Sequence, residues 1–186
     1  MQISGADDES AVSVRLRRRF ARWCKSVPPA TRWLADSVLS DLVPSIERHG
    51  FGWNDSFIGR GEPAPIIPDH VPLERRRGEI LDVVHIDFAA RKKPSFVVAF
   101  RAWSSEELAR RQLWMPHYLA QRTVIGGLRV KFGFSRLDPF ASQQRAVRLV
   151  AGVVNLIPQL IDCLEHGACG PHVTPSRLLV PPKNTS

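Results

Sequence analysis

Between residues 80 and 103 the chain reads ILDVVHIDFAARKKPSFVVAFRAW, two apolar runs on either side of a basic turn. With the strand period of two, Val84, Ile86 and Phe88 share one face of the first run, and Phe96, Val98 and Phe100 share one face of the second. Pairing Phe88 with Phe96, Ile86 with Val98 and Val84 with Phe100 buries one common face and leaves ARKKPS as the connection of a hairpin. That register sets His85 opposite Ala99 and Asp87 opposite Val97 on the other face, which is expected to be wet. Asp82 falls with Val84 and Ile86.

Helical periodicity brackets this hairpin. In VSVRLRRRFARWCK, Leu16, Phe20 and Trp23 recur at helical spacing among arginines, predicting a basic helix over 12–27 that SVPPA ends. Leu34, Val38, Leu42 and Ile46 then predict a second helix from about residue 29 or 31 to 49, kinked or broken at Pro44 and closed by Gly50. FGWNDSFIGRG suggests a short strand. EPAPIIPDHVP holds too many prolines for regular structure and reads as a loop. Ser104 and Glu107 have capping-box spacing for a short helix before Pro116, and LRVKFGF alternates as a strand. Asp138 and Pro139 read as N-cap and first position of a long helix with the stripe Ala146, Val150, Val153, Ile157, Leu160, Ile161 and Leu164. Pro158 should bend it and Gly167 should end it.

These elements predict an α+β domain, an antiparallel sheet of about four strands with helices on one face. Residues 1–11 are expected to be disordered, 12–173 to form one domain with its core over 31–166, and 174–186 to be a loose tail. At 186 residues the chain suits a single domain. No run approaches the roughly 20 consecutive apolar residues of a membrane span, and no apolar stretch of a secretory signal opens the sequence. A cytoplasmic location is expected. Three cysteines, Cys24, Cys163 and Cys169, suit a reducing compartment without disulfides. The formal charge of +8 favours polyanions or acidic proteins as partners.

Four groups of residues carry candidate chemistry. Glu79, Asp82, His85 and Asp87 offer carboxylates and an imidazole for Mg2+ or acid–base work, as in a metal-dependent hydrolase. The period of two separates Asp82 from His85 and Asp87, so the carboxylates do not converge from this strand, and a solvated strand face is the simpler reading. Cys163, His166, Cys169 and His172 form C-x2-H-x2-C-x2-H, all ligands zinc accepts, although structural zinc sites usually pair two close ligands with two distant ones. Zinc is the one cofactor the sequence nominates. The clusters RLRRRFARWCK and LERRRGE offer Arg17, Arg18, Arg19, Arg22, Arg75, Arg76 and Arg77 to a nucleic-acid backbone, with Phe20 and Trp23 interleaved. The Pro-rich loop with Trp53, Ile66, Ile67, Asp69 and His70 offers a stiff protein-contact surface. No P-loop, dinucleotide, nucleophile-elbow or HExxH motif occurs.

The succession LVPSIERHGF, GEILDVVHIDF, SFVVAFRAW, LRVKFGF and VAGVVNLIPQLIDCLEHG resembles small bacterial α+β domains of unknown function over residues 31–166. In these a Leu-x-Pro helix leads through Gly-Phe into an antiparallel sheet. Some such proteins are similar to immunity proteins that neutralise toxins, so the resemblance implies binding of another protein rather than catalysis and brings no catalytic residues. A non-enzymatic protein-binding role is therefore the leading expectation. Nucleic-acid binding comes second and metal-dependent hydrolysis third.

Overall fold

The computed structural model describes residues 5–54, 69–89, 94–104, 117–122, 128–129, 131–135 and 138–175. Helix α1 (Gly5–Ser26) is followed by α2 (Pro29–Ser37), a π-helical turn (Val38–Leu42) and α3 (Val43–Glu47). Strands β1 (Gly52–Trp53), β2 (His70–Arg77), β3 (Ile80–Phe88), β4 (Ser95–Trp103) and β5 (His117–Leu119) come next. The short β6 (Gln121–Arg122), β7 (Leu128–Arg129) and β8 (Phe132–Gly133) precede α4 (Gln143–Val154), α5 (Ile157–His166) and β9 (Val173–Pro175). The fold is α+β, with a seven-stranded antiparallel sheet in the order β1-β2-β3-β4-β5-β9 and β8 also on β4; β6 and β7 pair separately.

The β3–β4 register is the one the alternation predicts: Phe88 faces Phe96, Ile86 faces Val98 and Val84 faces Phe100. Their common face carries the core. Val71 and Leu73 of β2 extend it, and the helices bring Leu16, Phe20, Leu34, Val38, Leu42 and Ile46 onto it, with the predicted stripe of α4 and α5. Phe20 lies 5.6 Å from Phe88 and 5.1 Å from Trp23 between ring centroids, so α1 is fastened to the sheet by aromatic contact. The helical segment Gln143–His166 is long and apolar enough to cross a bilayer by length and composition alone. Its stripe is spent on the core instead, since Ala146, Val150, Val153, Ile157 and Leu160 are all buried.

Several boundaries depart from the expectation. Helix α1 starts at Gly5, inside the stretch expected to be disordered. Pro44 marks a break in the second helix, at the start of α3. The chain widens to a π-turn just ahead of it, with the Val43 N–H donating to Val38 O, and this absorbs the donor that proline lacks. Asp138 caps a turn rather than the helix, accepting from Phe140 N at 2.9 Å, and Ser142 caps α4 instead. The predicted bend at Pro158 is a break, with Asn155 and Leu156 between α4 and α5, and Gly167 ends α5 at φ 71° as expected. LRVKFGF is two short strands on different sheets rather than one.

The largest correction is β2, whose first three residues, His70, Val71 and Pro72, lie in the stretch read as loop. Pro72 is tolerated because it sits one step past the end of β1, which pairs only with Glu74 and Leu73. A two-residue turn, Gly78 and Glu79, with Gly78 at φ 58°, joins β2 to β3. Residues 90–93 of the basic connection, 55–68 of the Pro-rich stretch with Ile66 and Ile67, and the helix expected after Ser104 lie outside the described residues.

Candidate functional site

Strands β2 and β3 pair so that His70 faces Asp87 and Pro72 faces His85. The H-x-D spacing of His85 and Asp87 puts both on the face away from the helices, and the cross-strand neighbour adds a second imidazole beside them. His70 Nδ1 and Asp87 Oδ1 share a short hydrogen bond. The His70 and His85 rings meet edge to face, with centroids 4.3 Å apart and planes at 84°. One ligand atom from each of the three residues lies within 4.8 Å of the others.

The surroundings set the charges. Burial, and then His70 close by, push His85 down to about 3, so its imidazole is neutral at ordinary pH. For Asp87, burial works to raise the pKa, but the hydrogen bond and charge of His70, with His85 beyond, outweigh it and hold the carboxylate below its usual range. His70 is 9 % exposed, His85 is half-buried and the Asp87 side chain is 44 % exposed, so the cluster is closed at His70 and open at its carboxylate. Asp87 opens onto a cavity of about 350 Å³ that Phe96, Val97 and Lys131 also line.

The second face of the sheet is not the wet surface expected from the alternation. Leu81, Val83 and Trp103 are each at most 1 % exposed and form their own apolar cluster, with Arg101 stacked 4.0 Å over the Trp103 ring. The separation of Asp82 from His85 and Asp87 is as the period of two requires. Asp82 faces Ala102 on the helix side and is fully buried, gripped by Arg75 and Arg77.

That grip redistributes the basic clusters. Arg75 and Arg77 are held inside by Asp82, and Arg17 pairs with Glu47 and lies 4.9 Å over the Trp53 ring. Trp53 itself is 2 % exposed, a core residue rather than the contact surface expected of it. Asp69 sits in the turn before β2, where its carbonyl accepts from Phe88 N at 3.0 Å. Of the seven arginines proposed for nucleic acid, Arg18 and Arg22 stay on an outward surface, with Arg76 exposed at a distance and Arg19 half-buried. Arg15 and Lys25 join the first two in one stripe along α1, floored by Ala11, Val14 and Ala21. Among the described residues no carboxylate pairs with Arg15, Arg18, Arg22 or Lys25.

The Cys/His segment does not gather four zinc ligands. His166 turns to Asp162 at 2.9 Å, and His172 Nδ1 meets Ala120 O at 3.0 Å. Cys163 and Cys169 are joined in a disulfide, which the cysteine count did not lead one to expect. Gly167 supplies the reason: its left-handed φ reverses the chain at the end of α5 and returns Cys169 to the last helical turn. His117, from β5, stands near both sulfurs. No protein family, curated protein or solved structure matches this chain.

Two features of the site escaped the sequence. His70 was placed in a loop, and only the β2 register brings it to Asp87. His117 lies on β5, with β6, β7, β8 and α4 between it and α5 in the chain, and no local spacing connects it to the cysteines.

Proposed function

We propose that the protein is a non-enzymatic binding protein that engages an acidic surface of another protein through the outer face of α1, in an immunity or defence role. The observation that carries this is the stripe Arg15, Arg18, Arg22 and Lys25, exposed, free of described carboxylate partners and floored by small apolar side chains. The opposite face of α1, Leu16, Phe20 and Cys24, is buried in the core, so the stripe is presented on a fixed helix and loses little entropy on docking.

A protein partner suits the stripe better than nucleic acid does. With Arg17, Arg75 and Arg77 engaged internally, Arg15, Arg18, Arg22 and Lys25 present their charge along a single helix face, and Val14, 43 % exposed, gives that face an apolar anchor. Charge complementarity would then set the association rate and the choice of partner.

The test compares wild type with the charge-reversed variant R15E/R18E/R22E, which keeps Lys25, the one lysine of α1, as its cross-linking site. Cross-linking in the host, followed by mass spectrometry of the cross-linked lysines, should join α1 to a carboxylate-rich protein in the wild type and lose it in the variant. Anisotropy with labelled duplex DNA and single-stranded RNA at about 50 mM salt supplies the opposing arm. Tight binding there that disappears in the variant, without a protein cross-link to α1, would replace this reading with nucleic-acid binding.

A further inference from the structure

We infer that His70, His85 and Asp87 form a binding site for a divalent first-row transition metal, held by two imidazoles and one carboxylate. The inference is independent of the proposed use of α1 and concerns the other side of the sheet. Two imidazoles set edge to face, one buried and one half-buried, need a reason, since polar rings lose hydration there that apolar side chains in their places would not. Leu81, Val83 and Trp103 fill the neighbouring positions of the same face with apolar groups.

Chemistry supplies the reason. Imidazole nitrogens and a carboxylate oxygen within 4.8 Å of one another match the two-histidine, one-carboxylate donor set that leaves coordination positions open on a metal such as Fe2+, Mn2+, Co2+ or Zn2+. The donors sit on two paired strands rather than on a loop, so the ladder fixes their separation: His70 stands opposite Asp87, and His85 precedes Asp87 by two on the same face. A metal bound to His70 Nδ1 and Asp87 Oδ1 takes the place of the hydrogen they share, and the neutral His70 ring then carries its one proton on Nε2. The cavity beside Asp87 gives the ion an approach from the open side of the cluster. The thiol-rich alternative, Cys163 and Cys169 with His117, has its sulfurs committed to each other.

The test uses full-length, non-reduced protein titrated with Co2+, a spectroscopic probe for the class. One equivalent should bind, with weak visible d–d bands and no thiolate charge-transfer absorption in the near ultraviolet. Affinity should fall at least about tenfold in H85A, H70A and D87N, and stay at the wild-type value in H166A and H172A. D87N alters the exposed member and keeps its shape, so it decides the matter if a histidine variant fails to fold. The inference is overturned by absence of saturable binding to the wild type, by thiolate bands, or by folded D87N that binds as tightly as the wild type.

Discussion

Arg77 and Asp82 form a bidentate pair inside the protein, with Arg77 Nη2 donating to Asp82 Oδ1 at 2.9 Å and Arg77 Nε to Oδ2 at 2.5 Å. The same Nη2 donates to Leu164 O at 2.9 Å, at the end of α5. Arg75 completes the arrangement: Nη2 reaches Asp82 Oδ2 at 2.7 Å, while Nη1 donates to His49 O and Glu165 Oε1, each at 2.9 Å. One fully buried carboxylate thus ties the β2–β3 hairpin to two helix ends. Removing it leaves Arg77, 28 % exposed, without its carboxylate and Arg75, 12 % exposed, with Glu165 alone. Asp82→Ala should therefore cost about 3 kcal/mol, the lower end for breaking a buried pair, because the arginine heads keep some solvent. Urea denaturation measures it. Replacing all three residues by leucine should cost much less than Asp82→Ala alone, because no buried charge is then left unmatched.

This pair also explains why β2 was illegible in the sequence. Its inward positions are Val71, Leu73, Arg75 and Arg77, so an apolar alternation that would have signalled a strand stops after two residues. The cations are compensated by Asp82, which the sequence places on the neighbouring strand without saying that the two strands pair. The β3–β4 hairpin was legible because its alternation runs unbroken through six residues, and only one register matches both apolar faces. The candidate site divides the same way. His85 and Asp87 shared a face by local period alone, whereas His70 joined them through pairing with a strand the pattern had concealed. The wetness expected of that face failed for a further reason: Val83, Trp103 and Leu81 alternate with Val84, Ala102 and Asp82, so both faces carry buried side chains and alternation ceases to mark the solvent side.

The Phe20 ring decides whether α1 belongs to the domain energetically. It is 1 % exposed and touches Trp23, Trp53 and Phe88, with centroid distances of 5.1, 6.3 and 5.6 Å. Phe20→Ala should remove about 3–5 kcal/mol from global stability in a single unfolding transition. An unchanged global transition, accompanied by new proteolytic cleavage within α1, would show instead that the helix docks as a separate unit.

Cys24 gives the protein an alkaline limit. Burial, and then the charge of Asp36, raise its thiol from 9.0 to about 11, and it is the one free cysteine among the described residues. A group whose folded pKa lies above its unfolded value stabilises the fold fully below the unfolded pKa and loses that contribution as pH rises through the folded one. The loss should therefore run from about pH 9 to pH 11. Urea midpoints at about pH 8 and about pH 10.5 should differ less with Cys24→Ala than with wild type; that is, the variant should lose the part of the alkaline decline that the thiolate causes. In the native protein at about pH 8 the Cys24 thiol should also react slowly with disulfide reagents, and quickly once denaturant is added.

Gly133 is required by close approach rather than by sequence context. A Cβ built there would lie 2.2 Å from Pro94 O and 2.5 Å from Ser95 Cα, at φ 152°, where β8 crosses the start of β4. The neighbours are backbone atoms of a paired strand and cannot rotate aside. Gly133→Ala should cost about 1–3 kcal/mol, the range for forcing extra volume into a packed site. Its local signature is the Phe134 N–H, which donates to Pro94 O at 2.8 Å and should exchange faster with deuterium in the variant. Gly152 supplies the contrast, since nothing lies within 4 Å of a Cβ built on it in α4. Gly152→Ala should accordingly stabilise the protein by about 0.5–1 kcal/mol, by reducing the backbone freedom of the unfolded chain in a helix interior. Opposite signs in the two urea titrations would establish that contact and backbone conformation, not glycine content, set the cost at Gly133.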